Sequence, residues 1–300
     1  MRIYVIGAEG QVARSLREAA AADKEIEFGF GRRPDVDLLN TVSVERAIAA
    51  FRPDVVVNPA AYTAVDKAES EPDLAFALNR DGAGLVAAAA ADHGIPVIHL
   101  STDYVFDGMK TGAYVERDPV NPQSVYGRSK LAGELAVAAA NPRHVILRTS
   151  WVYAPFGGNF VRTILRLASE RDRLRVVNDQ VGCPTYAPDM ADVIHAIARR
   201  VAKGWQPHYA GVTHLAGPDP MTWYAFAKQI IDAAARREGR SVLLDPISTS
   251  DYPTAAVRPA NSQLSSAKLA AVFDVRLPPL EQSLTDCLDR LFGIGTGGLR

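Results

Sequence analysis

The first thirteen residues limit this chain more than any other stretch. Ile3-Tyr4-Val5-Ile6 is a short β-branched and aromatic run, the make-up of a buried strand. It leads into Gly7-Ala8-Glu9-Gly10-Gln11-Val12-Ala13, and an amphipathic stretch from Val12 to about Ala22 follows. Strand, glycine turn and helix open a βαβ unit, the setting in which a G-x-x-G-x-x-A string reads as a pyrophosphate cradle. Gly7 and Gly10 let the backbone turn tightly and come close to phosphate oxygens, and small Ala13 lets the helix lie near the strand. The helix N-terminus adds free N–H groups and a partial positive charge. A lone glycine string would suit an ordinary strand–helix turn; its place at the head of a βαβ pattern favours a dinucleotide site.

Further apolar runs fall at the spacing of a parallel sheet covered on both faces. They lie near Glu25–Gly29, at Arg52–Asn58, Pro96–Leu100 and His144–Arg148, with a helix over Leu74–Asp92 that carries Asn79. Beyond them helices are expected over Phe160–Glu170, Asp189–Lys203, Thr222–Arg237 (capped by Thr222), Ser265–Phe273 and Glu281–Leu291. Strands are expected at Leu174–Val177 and Gly211–Gly217. The fold class is α/β: a Rossmann-type doubly wound parallel sheet with a smaller α/β C-terminal domain for substrate. Residues 1–150, with about 186–215 packing back, form the NAD(P)-binding domain, and 151–185 with 216–300 form the substrate domain. The glycine-rich tail from Gly293 is expected to fray.

A formal charge of −1 over 300 residues argues against a nucleic-acid binder. Cys183 and Cys287 lie far apart without partnering histidines, so neither a disulfide framework nor a zinc site is expected. No apolar run approaches membrane-spanning length, and the N-terminus lacks a signal-peptide pattern. The expectation is a cytoplasmic protein. No motif sets its oligomeric state, and a homodimer stays open.

The tip of the second strand should read the adenosine ribose, through an acid for a 2′-hydroxyl or an arginine for a 2′-phosphate. Here it is Phe30-Gly31-Arg32-Arg33, with no acid, which favours NADPH and leaves NADH as the alternative. Asp37 and Leu38 follow, in a position to pack near the adenine. Small residues after Asn58 suit a loop on which a nucleotide can lie.

The chemistry is expected at Val125-Tyr-Gly-Arg-Ser-Lys130. Tyr126 and Lys130 share one face of a helix. A phenol titrates near 10, and a nearby ammonium favours its anion. Moving it to ~7 requires about 4 kcal/mol of preferential anion stabilisation. Ser101 and Thr102 end a strand at the sheet's carboxyl edge, where ligands bind. A Thr102 hydroxyl there can polarise a carbonyl; its plainer use, as a cap, loses beside the Tyr–Lys pair. Trp151 can cover a base or an apolar sugar face or fill core, and Arg258 can hold a pyrophosphate or sit on a solvated loop.

Gly7–Ala13, Asn58-Pro-Ala-Ala-Tyr-Thr-Ala-Val-Asp-Lys-Ala-Glu69, Ser101-Thr-Asp-Tyr-Val-Phe106, Tyr126–Lys130 and Arg148-Thr-Ser-Trp-Val-Tyr153 occur in this order. Together they resemble the extended short-chain dehydrogenase/reductases that act on nucleotide sugars, and within them the dTDP-4-dehydrorhamnose reductases. The likeness continues through Asn178–Thr185 and Arg258–Leu264. It implies reduction of a 4-keto sugar to dTDP-L-rhamnose with NAD(P)H, by a triad of Thr102, Tyr126 and Lys130. It places Gly10, Gln11, Val12, Asp37, Leu38, Ala61, Tyr62, Thr63 and Leu100 around the cofactor, and Asp103 and Trp151 toward the sugar nucleotide. Lys130 would also bond the nicotinamide ribose. Ile6 stands where the fingerprint usually has threonine and Ala13 replaces its last glycine; neither change removes a phosphate-facing N–H.

Four rivals stay open. A dehydratase needs an acidic pair after the threonine, and here Tyr104 follows Asp103. An epimerase keeps NAD bound, which the Arg32-Arg33 tip argues against, and a 4-ketoreductase giving the talose product differs only in the face attacked. A non-catalytic NADP-binding subunit, like the regulatory subunit of methionine adenosyltransferase, would not depend on Tyr126.

Overall fold

The computed structural model describes residues 1–238 and 242–293; the tail beyond them lies outside the described residues. Strands β1 (Arg2–Ile6), β2 (Glu27–Gly31), β3 (Val55–Asn58), β4 (Val97–Thr102) and β5 (His144–Thr149) build most of one parallel sheet. Between them run α1 (Gln11–Ala22), α2 (Thr41–Phe51), the short α3 (Val65–Ala68) and α4 (Pro72–Phe76), α5 (Ala83–Ala91) and α6 (Val125–Ala140). After β6 (Val152–Tyr153) come α7 (Phe160–Glu170), β7 (Arg173–Val177), β8 (Val181–Gly182), β9 (Thr185–Tyr186), α8 (Ala187–Lys203) and β10 (Gly211–His214). The chain ends with β11 (Met221–Thr222), α9 (Trp223–Glu238), β12 (Leu243–Ile247), β13 (Asn261–Ser262), α10 (Ala267–Phe273) and α11 (Leu280–Leu291).

β10 joins the main sheet, whose order is β10-β5-β4-β3-β1-β2. Strand order therefore reverses between β1 and β3, and the crevice outside their carboxyl ends is where such sheets take ligands. Side chains alternate across the sheet. Ile3 and Val5 face a core shared with α1 and α8, while Tyr4 and Ile6 face one shared with α2 and α5. A third core, in the C-terminal part, joins α7, α9, α11, β7 and β12 around Phe226 and Ile230. Between the second strand as expected and as observed there is a shift of two residues, because Glu27–Gly31 pairs with all of β1.

The helix expected over Leu74–Asp92 is interrupted. Residues Ala77–Gly82 form a π turn between α4 and α5, and it packs on α6. Asn79 within it is buried and bridges two elements. Its Oδ1 accepts from the Tyr62 N–H at 2.7 Å, and its Nδ2 donates to the Ser129 hydroxyl at 2.9 Å. The Asn79 carbonyl approaches α6 so closely that a Cβ on Gly133 would lie 2.0 Å from it. Thr222 caps α9 as expected, its hydroxyl accepting from the Ala225 N–H at 3.1 Å. Among the described residues no helix is long and apolar enough to cross a membrane.

Candidate active site

A cleft of about 1630 Å³ opens at the crevice between β1 and β3 and runs into the C-terminal lobe. One end is the glycine turn. Gly7 has φ +96°, a conformation strained for other residues, and its N–H donates to the Gly31 carbonyl at 2.6 Å. Gly10 precedes α1 in extended conformation and no side chain caps that helix, so its first turn has free N–H groups. Gly7, Gly10, Gln11 and Val12 line the cleft, as do Arg32 and Arg33 at the tip of β2 and Ala61, Thr63 and Leu100. Open space around Gly10 and arginines where an acid would read a bare ribose suit a phosphorylated dinucleotide.

Three expected cofactor residues do not line the cleft. Asp37 accepts from the Leu39 N–H and lies 3.8 Å from the Arg33 guanidinium, while Leu38 packs over Gly82. Tyr62 turns its ring toward Ala68, Ala75 and Val125, and its hydroxyl donates to Glu71 at 2.7 Å.

Thr102, Asp103, Tyr126 and Lys130 all line this same cleft. Ser124 caps α6, accepting from the Gly127 N–H at 3.1 Å, and so fixes the turn that presents Tyr126. Lys130 is buried, its Nζ 2.6 Å from the Leu100 carbonyl and 3.4 Å from His99 Nε2. Burial lowers its pKa to about 8, and Glu134 one turn on pulls the other way. The expected acidification of Tyr126 by Lys130 is not found. Burial holds the phenol well above its usual range, Asp103 and Tyr104 add to this, and only the Thr102 hydroxyl opposes it. The two effects on a phenol compete, and desolvation wins.

The cap role of Thr102 persists alongside its place in the cleft: its hydroxyl accepts from the Tyr104 N–H at 3.2 Å and donates to Asp103 at 3.0 Å. Burial raises the Asp103 carboxyl to about 6. Ser101 does not offer its hydroxyl to the cleft, because it donates to Glu134, which is also paired with Arg148 at 2.6 Å.

Trp151 and Arg258 stand on the far wall. Trp151 has φ +49° and lies flat on Trp223, centroids 3.4 Å apart and planes 7° from parallel. Gly182 makes room behind it, since a Cβ there would be 2.2 Å from Trp151 Cε2. Arg258 donates to the Tyr104 hydroxyl at 2.9 Å and to Asp66 at 2.6 Å, so part of its hydrogen-bonding fork is engaged within the protein. Trp223, Asp66 and Tyr104 were not singled out as site residues, and neither were Arg171 and Arg175, which also line the cleft. Trp223 directly after its helix cap was the one local signal. Among the described residues no His, Cys, Asp and Glu cluster could hold a metal.

The family described as the RmlD substrate binding domain matches residues 1–292. The dTDP-4-dehydrorhamnose reductase of Sinorhizobium fredii is 51% identical over 283 residues, covering 94% of this chain and 95% of that protein. The crystal structure of a dTDP-4-dehydrorhamnose reductase from Clostridium acetobutylicum superposes with TM-score 0.89 at 36% identity, covering 97% of this chain and 100% of that one. The Bacillus anthracis dTDP-4-dehydrorhamnose reductase in complex with NADP gives TM-score 0.88 at 33% identity, covering 98% and 99%.

Proposed function

The chain belongs to the RmlD substrate binding domain family, and on that premise we propose that it is a dTDP-4-dehydrorhamnose reductase. It reduces the 4-keto group of dTDP-4-dehydro-L-rhamnose to give dTDP-L-rhamnose, with NADPH as cofactor. The observation that carries this reading is the meeting of Thr102, Tyr126 and Lys130 with the glycine turn and the Arg32-Arg33 tip in one cleft. The relative solved with NADP supports the choice of cofactor.

The turn at Gly7–Val12 would hold the pyrophosphate, Arg32 and Arg33 the 2′-phosphate, and Ala61, Thr63 and Leu100 the body of the dinucleotide. When bound, that cofactor supplies a hydride for the keto carbon. Tyr126 donates its proton to the sugar's oxygen. Its raised pKa is no obstacle in this direction, because an alkoxide is a stronger base than a phenolate and the phenol stays protonated until the oxygen needs it. Thr102 orients the carbonyl, and the Lys130 ammonium supports the phenolate left behind. Trp151 and Asp103 face the sugar, and Arg258 holds the nucleotide's phosphates. Tyr104, beside Asp103 and bonded to Arg258, occupies the place where a dehydratase would carry its second acid.

Net NADPH consumption with dTDP-4-dehydro-L-rhamnose is the test. The native protein should consume NADPH in proportion to keto sugar, whereas a dehydratase or epimerase consumes none. Tyr126→Phe should lower kcat by about 10²–10⁴-fold with NADPH affinity unchanged; a non-catalytic subunit would not respond.

A further inference from the structure

His99 is fully buried on β4, pointing to the face of the sheet that α6 covers. A buried imidazole normally satisfies both ring nitrogens. Here Nδ1 has no hydrogen-bond partner, and the one polar side-chain contact of the ring is Nε2 to Lys130 Nζ at 3.4 Å. An apolar residue of the same size would serve the fold at least as well, so the imidazole's place is explained by the lysine and not by packing. An ammonium only donates, so Nε2 accepts. With the Leu100 carbonyl at 2.6 Å, two of the three Lys130 N–H groups are aimed back at β4 and the third is left for the cleft.

We infer that His99 is a positioning residue of the reaction, fixing the direction of the Lys130 ammonium and favouring its charged form by accepting a hydrogen bond from it through Nε2. This rests on the proposed reductase reading. Few other groups bear on Lys130. Along α6 these are Tyr126 and Glu134, the latter neutralised by Arg148 of β5. From the turn after β4 they are Asp103 and Tyr104. Charges on the short helices and the π turn are engaged elsewhere or exposed: Asp66 with Arg258, Lys67 with Glu71, Arg80 with Asp81, and Asp73 in solvent. Burial together with the neighbouring Lys130 charge keeps His99 neutral, as an acceptor must be.

The test is the pH dependence of kcat/KM for NADPH-driven reduction of the keto sugar, in His99→Phe, His99→Gln and His99→Asn beside the native protein. Phenylalanine removes the acceptor. Glutamine returns a carbonyl near the position of Nε2, and the shorter asparagine does not. His99→Phe and His99→Asn should move the alkaline limb down by about one pH unit, making the rate about tenfold lower above it, and His99→Gln should restore it. If His99→Phe does not fold, the Asn–Gln pair carries the comparison. Folded variants that all keep the native limb overturn the inference. Lys130→Met is run in parallel: full activity there would instead refute the role given to the lysine.

Discussion

In the proposed reaction, Lys130 is the residue whose charge decides when the site works. Its ammonium is present below its pKa of about 8, and burial, the largest influence, makes it easier to lose than an exposed lysine's. Activity that needs the ammonium is therefore full at lower pH and is lost as pH rises through about 8. A rate profile falling there, and flattened to a low floor by Lys130→Met, is the expected result; a native profile level to pH ~10, where an ordinary lysine titrates, would contradict it. At the other end of the cleft, the proposed function gives Arg32 and Arg33 the choice between dinucleotides. Replacing both by alanine should raise KM for NADPH by about 10–100-fold and leave that for NADH nearly unchanged, since a 2′-phosphate loses its charged partners and a hydroxyl does not. Steady-state kinetics with each cofactor would show it. The Tyr–Lys pair and the glycine turn could be read from the sequence because each is local, set by spacing along one helix or one turn. The direction of the Tyr126 shift could not, because burial is a property of the assembled fold: the phenol lies under Tyr104, ring centroids 5.5 Å apart, and beside Asp103.

At the scale of elements, α6 is the part on which the site depends, and it lies unusually close to its neighbours. The π turn at Ala77–Gly82 brings the Asn79 carbonyl into the space a side chain on Gly133 would need. Gly133→Ala gains helix propensity yet forces α6 away from a backbone atom, so a net loss of about 1–3 kcal/mol is expected. A thermal melt should show Tm lowered by several degrees, together with lower kcat; an unchanged Tm would mean that α6 has room to spare. Apolar periodicity placed α1, α7, α9 and α11 within one or two residues, since each buries one stripe. The π turn escaped it: nothing in the apolar spacing of residues 77–82 marks it, and its packing on α6 is a contact between distant parts of the chain.

The whole molecule is a cleft with the glycine turn at its end on the main sheet and an aromatic, arginine-lined end on the C-terminal core. Contacts that close it come from distant parts of the chain. Trp151 finds Trp223, and Arg258 reaches back to Asp66 and Tyr104. Such pairings have no signature in a single sequence, which is why Trp151 and Arg258 could be singled out while their partners could not. The proposed reaction requires a hydride passed within this cleft to a keto sugar that Tyr126 protonates. Reduction with NADPH deuterated at the transferring position of the nicotinamide, followed by NMR of the sugar product, tests it directly. The expected product is dTDP-L-rhamnose carrying deuterium on C4; a product without deuterium at that carbon, or unchanged keto sugar, would refute the proposed reaction.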